Sequence, residues 1–460
     1  MCGIIGVYAH PNAAEISHLG LYSLQHRGQE SAGIVAVDTV GGAHASKTMG
    51  LVSEGFHGMD LQSLHGDIAI GHTRYSTAGS STIENAQPVL ARVRDGDVAL
   101  AHNGNLTNAT ELKRDLVETG AIFTSTMDSE VLVHRIARSP KQKPEDRLAD
   151  ALCDVEGAFS LVVIIGETLL AARDPRGWRP LVMGQLGDSI VFASETCALD
   201  IVGATVIREV ERGEIVAVDR DGIRSSFPLA RKESRKCVFE YVYFARPDSR
   251  VFGGSVDRAR RALGRRLARE CPALGAELVF SVPDSSNSAA LGFAEESSLP
   301  FELALIRNHY VGRTFIQPTQ AGRDAKVKVK YNAVREVLDG KSVVMVDDSI
   351  VRGTTTRGLV AMIRAAGARE VHMRVSSAPI TGPCYYGIDT PNREELIAAN
   401  MPVAEISGEL GVDSLGYLSL QGMLESVPEG PGGFCHACFS GDYPTPPPTD
   451  PQKLRFGCGC

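Results

Sequence analysis

Two adjacent carboxylates followed by a run of hydroxyls are the first residues in this 460-residue chain whose types and spacing could do chemistry. Val343 to Thr356 reads VVMVDDSIVRGTTT: four apolar residues, then Asp347 and Asp348, then Ser349, Arg352, Gly353, Thr354, Thr355 and Thr356. Four consecutive apolar residues suit a strand buried on both faces of a parallel sheet. The spacing then predicts a helix from Arg357 to Ala366, stopped by Gly367. This order places ligand groups at the carboxyl end of a strand, where open α/β sheets bind ligands. Free backbone N–H groups and the helix dipole favour a phosphate there, and the hydroxyls can donate to its oxygens. The carboxylates would repel a phosphate, so sugar hydroxyls or a magnesium ion, a hard cation, suit them better. The string lacks GxxxxGK[ST], which argues against a simple nucleoside triphosphatase. A buried strand ending in an ordinary polar turn would explain a lone Asp–Asp pair, but it explains the whole string poorly.

The complete string resembles the phosphoribosyl-pyrophosphate signature of type I phosphoribosyltransferases. The resemblance implies that Asp347 and Asp348 hold the ribose hydroxyls. The loop Ser349, Arg352, Gly353, Thr354, Thr355 and Thr356 would hold the 5-phosphate. A second strand and polar turn, ELVFSVPDSSNS at 277–288, could face the same ligand from the other side. By resemblance it contacts pyrophosphate, with Ser285, Asp347 and Asp348 at a magnesium site, one ion per subunit. Between the two loops, Asn308 to Asn332 is basic and contains Gly and Pro, which suits a mobile flap. Arg313, Lys328 and Lys330 could neutralise pyrophosphate there, and Lys330 matches the family position best. A basic surface loop is the plainer reading of each residue alone. A closing flap would exclude water from a reactive sugar cation.

The other end of the chain opens Met1-Cys2-Gly3. Removal of Met1 would leave Cys2 with a thiol and a free α-amine, whose reference pKa is roughly 7.7–8.0. That amine could take the thiol proton without a histidine, the N-terminal nucleophile arrangement. Position alone would leave Cys2 an incidental terminal residue. Four later stretches change that: LQHRGQESAG at 24–33, GHTRYST at 71–77, VALAHNGNL at 98–106 and TMDSE at 126–130. In this order they resemble the motifs of the class II glutamine amidotransferase domain, which implies a four-layer αββα fold. Cys2 is then the nucleophile toward the glutamine amide. The Asn103 side-chain amide and the Gly104 N–H would form the oxyanion hole. Arg74 would hold the glutamine carboxylate and Asp128 its ammonium group. His26, His72 and His102 lie inside these motifs and are read as structural.

Cysteine use carries a third signal. FCHACF at 434–439 gives Cys435-x2-Cys438, which by spacing alone suits zinc, a redox pair or a cluster. With Cys237 and Cys384, the pair is similar to the iron–sulfur branch of the amidophosphoribosyltransferase family. The resemblance implies one [4Fe–4S] cluster per subunit on Cys237, Cys384, Cys435 and Cys438. Zinc on the same four thiolates is the alternative. Cys153, Cys197 and Cys271 read as packed residues, and Cys458 and Cys460 as outside the ligand set.

These groups need two frames to hold them. Val155 to Ile207 alternates apolar strands and turns, and the charged stretch ARKESRK at 230–236 marks a boundary. EYVYFARPDS at 240–249 resembles a segment linking the two halves of that family. Ser255 then caps a helix to Glu270 with an apolar stripe of Val256, Ala259, Leu263 and Leu267. Its arginines (Arg258, Arg261, Arg265 and Arg269) suit a solvated face better than an anion site. The expected units are 2–234, an N-terminal-nucleophile glutaminase; 235–442, an α/β phosphoribosyltransferase with a cluster-binding end; and 443–460, a Pro-rich disordered tail.

The totals agree with an enzyme of this kind. The net charge of −8 argues against general nucleic-acid binding, and no apolar span reaches membrane length. Ten cysteines in a chain of this size do not describe a secreted disulfide framework, so a cytoplasmic enzyme is expected. The fusion of both halves implies ammonia passing from a glutamine site to phosphoribosyl pyrophosphate, the first committed step of purine synthesis. The resemblance also implies a homotetramer inhibited by purine nucleotides. A regulator that binds the sugar phosphate without chemistry, and an amidotransferase acting on another sugar phosphate, are the rivals. Intact Cys2, Asn103 and Gly104 argue against the first, and the lack of a sugar-isomerase domain against the second.

Overall fold

The structure, a computed structural model, describes residues 1–38, 42–58, 61–75, 80–94, 96–309 and 329–448. In the first half two antiparallel sheets stack face to face. Seven strands run in the spatial order Thr205–Glu209, Val182–Leu186, Ser189–Ala193, Gly3–Tyr8, Ile68–Arg74, Ser31–Val37, Ala43–Met49. Six run in the order Gly222–Ser226, Ile215–Asp219, Thr168–Arg173, Gly157–Ile165, Gly96–Leu106, Val89–Val93. The period of two along a strand decides which core each residue enters. Ile4 points between the sheets, with Ile70, Val162 and Ile164. Ile5 and Val7 point outward, against Leu21 of the helix Ala13–Ser23. The helices Ala109–Glu118, Ser129–Arg138 and Pro144–Leu152 cover the other outer face. These are the expected αββα layers. The expectation of only strands and turns from Val155 to Ile207 misses the helix Thr196–Val202. Its buried Cys197, Ala198 and Leu199 form a short apolar run that strand and helix share.

The second half carries a parallel sheet in the order Leu278–Ser281, Ser342–Asp347, Glu370–Val375, Ser414–Tyr417. Val344 and Val346 enter the core under the helices Val256–Glu270 and Asn287–Ser297. Val343 and Met345 enter the opposite core, under the helices Thr354–Ala365 and Val403–Leu410. Each buried side chain of this size contributes about 1.5–3 kcal/mol, which is why both faces of the strand are apolar. The helix after the acidic pair begins at Thr354 rather than Arg357, because Gly353, at φ 76°, makes the turn just before it.

Arg261, Arg265 and Arg269 form no anion site. They pair with Glu295 and Glu296 of the neighbouring helix at 2.6–2.8 Å. Lys236–Cys237 pairs in parallel with Phe434–Cys435, so the C-terminal segment returns to the junction of the halves. The ordered chain continues past 442. Tyr443 Oη donates to the Pro383 carbonyl at 2.7 Å, and Thr445 is buried against the Tyr386 hydroxyl. The rest of the expected tail, 449–460, lies outside the described residues, as do Arg313 and Lys328. No helix among the described residues is long and apolar enough to cross a membrane.

Candidate active sites

Cys2 sits at the head of the central strand of the seven-stranded sheet, and Asn103 lies on the six-stranded sheet facing it. Face-to-face stacking therefore brings residues 101 apart in sequence together. The Cys2 backbone N–H donates to Asn103 Oδ1 at 3.2 Å. Asn103 is fully buried, and its Nδ2 has no hydrogen-bond partner among the described residues. Buried amide donors are rarely left so, and this one is available to a developing oxyanion. Gly104 follows on the same strand, packed so closely that a Cβ there would lie 1.9 Å from the Ala158 carbonyl oxygen. Met1 is buried over this centre, and burial pulls its α-amine down to about 5. The Cys2 nitrogen, bonded to Asn103, lies beneath it.

Arg74 ends the strand Ile68–Arg74; its Nη1 pairs with Glu30 and donates to the Ser80 carbonyl at 3.1 Å. Asn85 Nδ2 joins that carbonyl (2.7 Å) to Thr126 Oγ1 (2.7 Å), which ties the Arg74 side of the rim to the loop before Asp128. Glu130 accepts the Thr124 and Ser125 N–H groups at 2.8 Å and shapes that loop. Asp128 accepts the Leu106 N–H at 2.9 Å. Burial pushes its carboxyl up, but His102, the Leu106 N–H and the Ser129 hydroxyl outweigh this and hold it below the usual range. His102 contacts Ser129 Oγ (3.0 Å) and the Ala158 carbonyl (3.2 Å), and His72 reaches the His102 carbonyl (3.1 Å), which are structural bonds.

At the phosphoribosyl end the two strand-end loops meet. Ser286 Oγ donates to Asp347 Oδ1 at 3.0 Å, bridging Leu278–Ser281 and Ser342–Asp347 through their loops. Asp348 is buried; Ser349 Oγ donates to it at 2.7 Å, and Ser285 also bonds it. Burial first, and for Asp347 also the neighbouring charge of Asp348, push both carboxyls up. Such a pair is suited to a cation. Thr354, Thr355 and Thr356 occupy the first helical turn, where backbone N–H groups lack helical partners. Arg352 pairs with Glu395 at 2.6 Å, half exposed. Lys330 stands over the Tyr331 ring at 4.9 Å, and its charge reaches Asp347. The strands Leu305–Arg307 and Tyr331–Ala333 at the two ends of the expected flap pair with each other, and 310–328 lie outside the described residues.

The structure brings Cys237, Cys384, Cys435 and Cys438 to the wall of one buried cavity, with Trp178, Arg179 and Tyr386. Burial raises the thiols of Cys237 to about 11 and Cys435 to about 12, and pushes that of Cys438 well above its ordinary value. Among the described residues no three His, Cys, Asp or Glu side chains close round a single-ion site. Four thiols on one cavity wall are a donor set that suits an iron–sulfur cluster and zinc alike.

Motif reading assigned no role to Arg27, Glu195 or Glu240. Arg27 is fully buried; its Nε donates to the Cys2 carbonyl at 3.0 Å. Its other nitrogens bond Glu195 and, at 2.8 and 3.0 Å, both oxygens of Glu240. Arg27 lies within the LQHRG motif, and its place in that motif was the signal available.

A two-sheet glutaminase half joined to a parallel-sheet phosphoribosyltransferase half defines a glutamine-dependent phosphoribosyl transferase. The family described as glutamine amidotransferase domain matches residues 72–200. Amidophosphoribosyltransferase 2, chloroplastic, of Arabidopsis thaliana is 49% identical over 98% of this chain and 81% of its own length. The solved glutamine phosphoribosylpyrophosphate amidotransferase from B. subtilis complexed with ADP and GMP is 49% identical. It superposes at a TM-score of 0.91 over 97% of this chain and 98% of that one. A structure described as the allosteric regulatory enzyme of purine biosynthesis gives 0.92, at 49% identity over 98% and 97%. The chain belongs to the amidophosphoribosyltransferase family.

Proposed function

We propose that this chain takes ammonia from glutamine at Cys2 and adds it to C1 of phosphoribosyl pyrophosphate, giving 5-phosphoribosylamine, glutamate and pyrophosphate. After Met1 is removed, the Cys2 amine accepts the thiol proton and the sulfur attacks the glutamine amide. The oxyanion is held by Asn103 Nδ2 and the Gly104 N–H. Arg74 and Asp128 grip the two charged ends of the amino acid. Ammonia is released as the thioester forms, and water then frees glutamate. In the second half Asp347 and Asp348 orient the ribose, while Ser349, Arg352, Gly353 and Thr354 to Thr356 hold the 5-phosphate. Lys330 lies where it can offset leaving-group charge. A magnesium ion on Ser285, Asp347 and Asp348 would neutralise pyrophosphate. The transfer needs a positioned nucleophile and a dry site more than an acid or base.

The observation that carries this reading is Asn103, with its oxygen on the Cys2 nitrogen and its buried Nδ2 without a partner. We assign the glutaminase to 2–234 and the transferase to 235–442. The four cysteines around one cavity support a [4Fe–4S] cluster, which would act as a structural tie between distant segments. The ADP and GMP of the B. subtilis structure support purine nucleotides as inhibitors. A cytoplasmic homotetramer completes the proposal. The test is pyrophosphate release from phosphoribosyl pyrophosphate and Mg²⁺, comparing wild type with Cys2→Ala on glutamine and on ammonium. The variant is expected to lose the first activity and keep the second. Wild type that is folded but releases no pyrophosphate with either donor overturns the transferase reading.

A further inference from the structure

A chain of mostly buried contacts runs from the Cys2 centre toward the Asp347–Asp348 loop, and the middle of that chain is Glu240. Glu240 begins a π-helical turn, Glu240–Phe244, a conformation that is rare and concentrated at functional positions. Its carboxylate leaves the second half and enters the first, where it takes Arg27 through two bonds of 2.8 and 3.0 Å. Arg27 in turn holds the Cys2 carbonyl at 3.0 Å. On its other side the turn is held by Arg260 of the helix Val256–Glu270. Arg260 Nε donates to the Tyr241 carbonyl and Nη2 to the Ala245 carbonyl, each at 2.8 Å. Nη1 lies 3.5 Å from the Ser285 carbonyl, and the Arg260 charge faces Asp348.

The arrangement is a poor device for stability. Arg27, Arg179, Glu195 and Glu240 are all fully buried, and Arg179 lies 3.7 Å from Glu240. Two guanidinium and two carboxylate groups balance in charge, but desolvating four ions costs about as much as their attraction returns. What such a quartet does supply is fixed geometry. Glu195 is held by three more donors: the Ser249 hydroxyl at 2.7 Å, the Arg246 N–H at 2.9 Å and His26 at 2.7 Å. Glu240 is therefore the member whose position depends on the π-turn.

We propose that Glu240 is a positioning residue for the Cys2 nucleophile, supplied by the transferase half, and that Arg260 sets Glu240 through the π-turn and so connects the two centres. The proposal rests on reading Cys2 and Asp347–Asp348 as the two active sites. Glu240 touches no substrate; it fixes Arg27, and Arg27 fixes the Cys2 carbonyl and so the direction of the sulfur. Glutamine binding by Arg74 and Asp128 does not involve it.

The test uses the full-length holoenzyme, with glutamine hydrolysis and ammonium-driven pyrophosphate release measured on Glu240→Gln, Arg260→Lys and the double variant. Misplacing a reacting group by about 1 Å costs roughly a hundredfold in rate. Glu240→Gln is expected to lower kcat for glutamine hydrolysis by about that factor. Its KM for glutamine and its ammonium-driven rate should stay within about threefold of wild type, a split that a general loss of folding would not give. The double variant should hydrolyse glutamine no more slowly than the slower single one, because both changes act on one link. Unchanged kcat in Glu240→Gln overturns the proposal, and so does strict additivity in the double variant. A fall of glutamine and ammonium activities together, with reduced thermal stability, also overturns it by making Glu240 merely structural. None of these outcomes touches the two-site reading, which fails if Cys2→Ala keeps its glutamine-driven turnover or if folded wild type releases no pyrophosphate with either donor.

Discussion

His72 is fully buried in the strand Ile68–Arg74, with one ring nitrogen on the His102 carbonyl and the other without a partner among the described residues. Burial, aided by the charges of Arg74 and His102, lowers its pKa from 6.5 to about 3. The unfolded imidazole binds a proton below pH 6.5 and the folded one does not until about 3. Stability from this site is therefore present above 6.5 and lost as pH falls, by about 1.4 kcal/mol per unit at most. His72→Gln should flatten the fall of the urea midpoint between pH 6.5 and 5 by about one proton's slope; an unchanged slope would place the proton uptake elsewhere. At this scale the sequence was most legible where one residue type is required. A thiol at position 2, an amide at 103 and two carboxylates at 347 and 348 can be read once the short motifs around them are taken with them. Arg27 could not, because Glu195 and Glu240 lie 168 and 213 residues away and only the fold supplies them.

Elements were legible where an apolar run had a single reading. The strand Ser342–Asp347 was visible because both of its faces are buried. The start of the next helix was misplaced, because three threonines in a first turn look like loop until Gly353 is seen to make the turn. The crossing of Val256–Glu270 on Asn287–Ser297 was not legible at all, because it depends on glycines that packing alone explains. A Cβ on Gly264 would lie 1.8 Å from the Ala289 carbonyl oxygen, and one on Gly292 2.1 Å from that of Arg261. Here magnitudes separate backbone approach from surface charge. Gly264→Ala must part the helices, at a cost of about 1–3 kcal/mol or more. Glu295→Gln loses only exposed pairs with Arg261 and Arg265, worth about 0.2–1 kcal/mol each. Chemical denaturation of both variants should rank them in that order. The reverse order would mean that the charged ladder, not the glycine contact, holds the helices together.

At the scale of the whole molecule, the four-cysteine cavity is where the last part of the chain is fastened to everything before it. Cys237 leaves the glutaminase half, Cys384 lies between the strands Glu370–Val375 and Ser414–Tyr417, and Cys435 and Cys438 lie near the end of the described chain. Phe434 and Phe439 seat the last segment in the core, but its backbone ties there are few. The ladder between Lys236–Cys237 and Phe434–Cys435 is two residues long, and Thr381 and Gly382 donate to the Cys438 carbonyl at 2.9 and 3.0 Å. Trp178 stacks on Tyr386 at 4.6 Å, and Arg179 bonds the Tyr386 carbonyl at 3.0 Å, which brings the glutaminase half into the same joint. Two-stranded pairings are marginal in water, so a covalent inorganic tie would contribute most of the closure. Cys435→Ser should therefore lower the yield of folded protein, remove the brown colour, and take iron and sulfide down together in anaerobically purified material. Cys458→Ser, outside the proposed ligand set, should leave the colour intact. Colourless wild type carrying one zinc per chain would replace the cluster with zinc on the same thiolates. Wild-type yield and colour in Cys435→Ser would remove Cys435 from the site altogether, and with it the account of why the C-terminal segment returns to the junction.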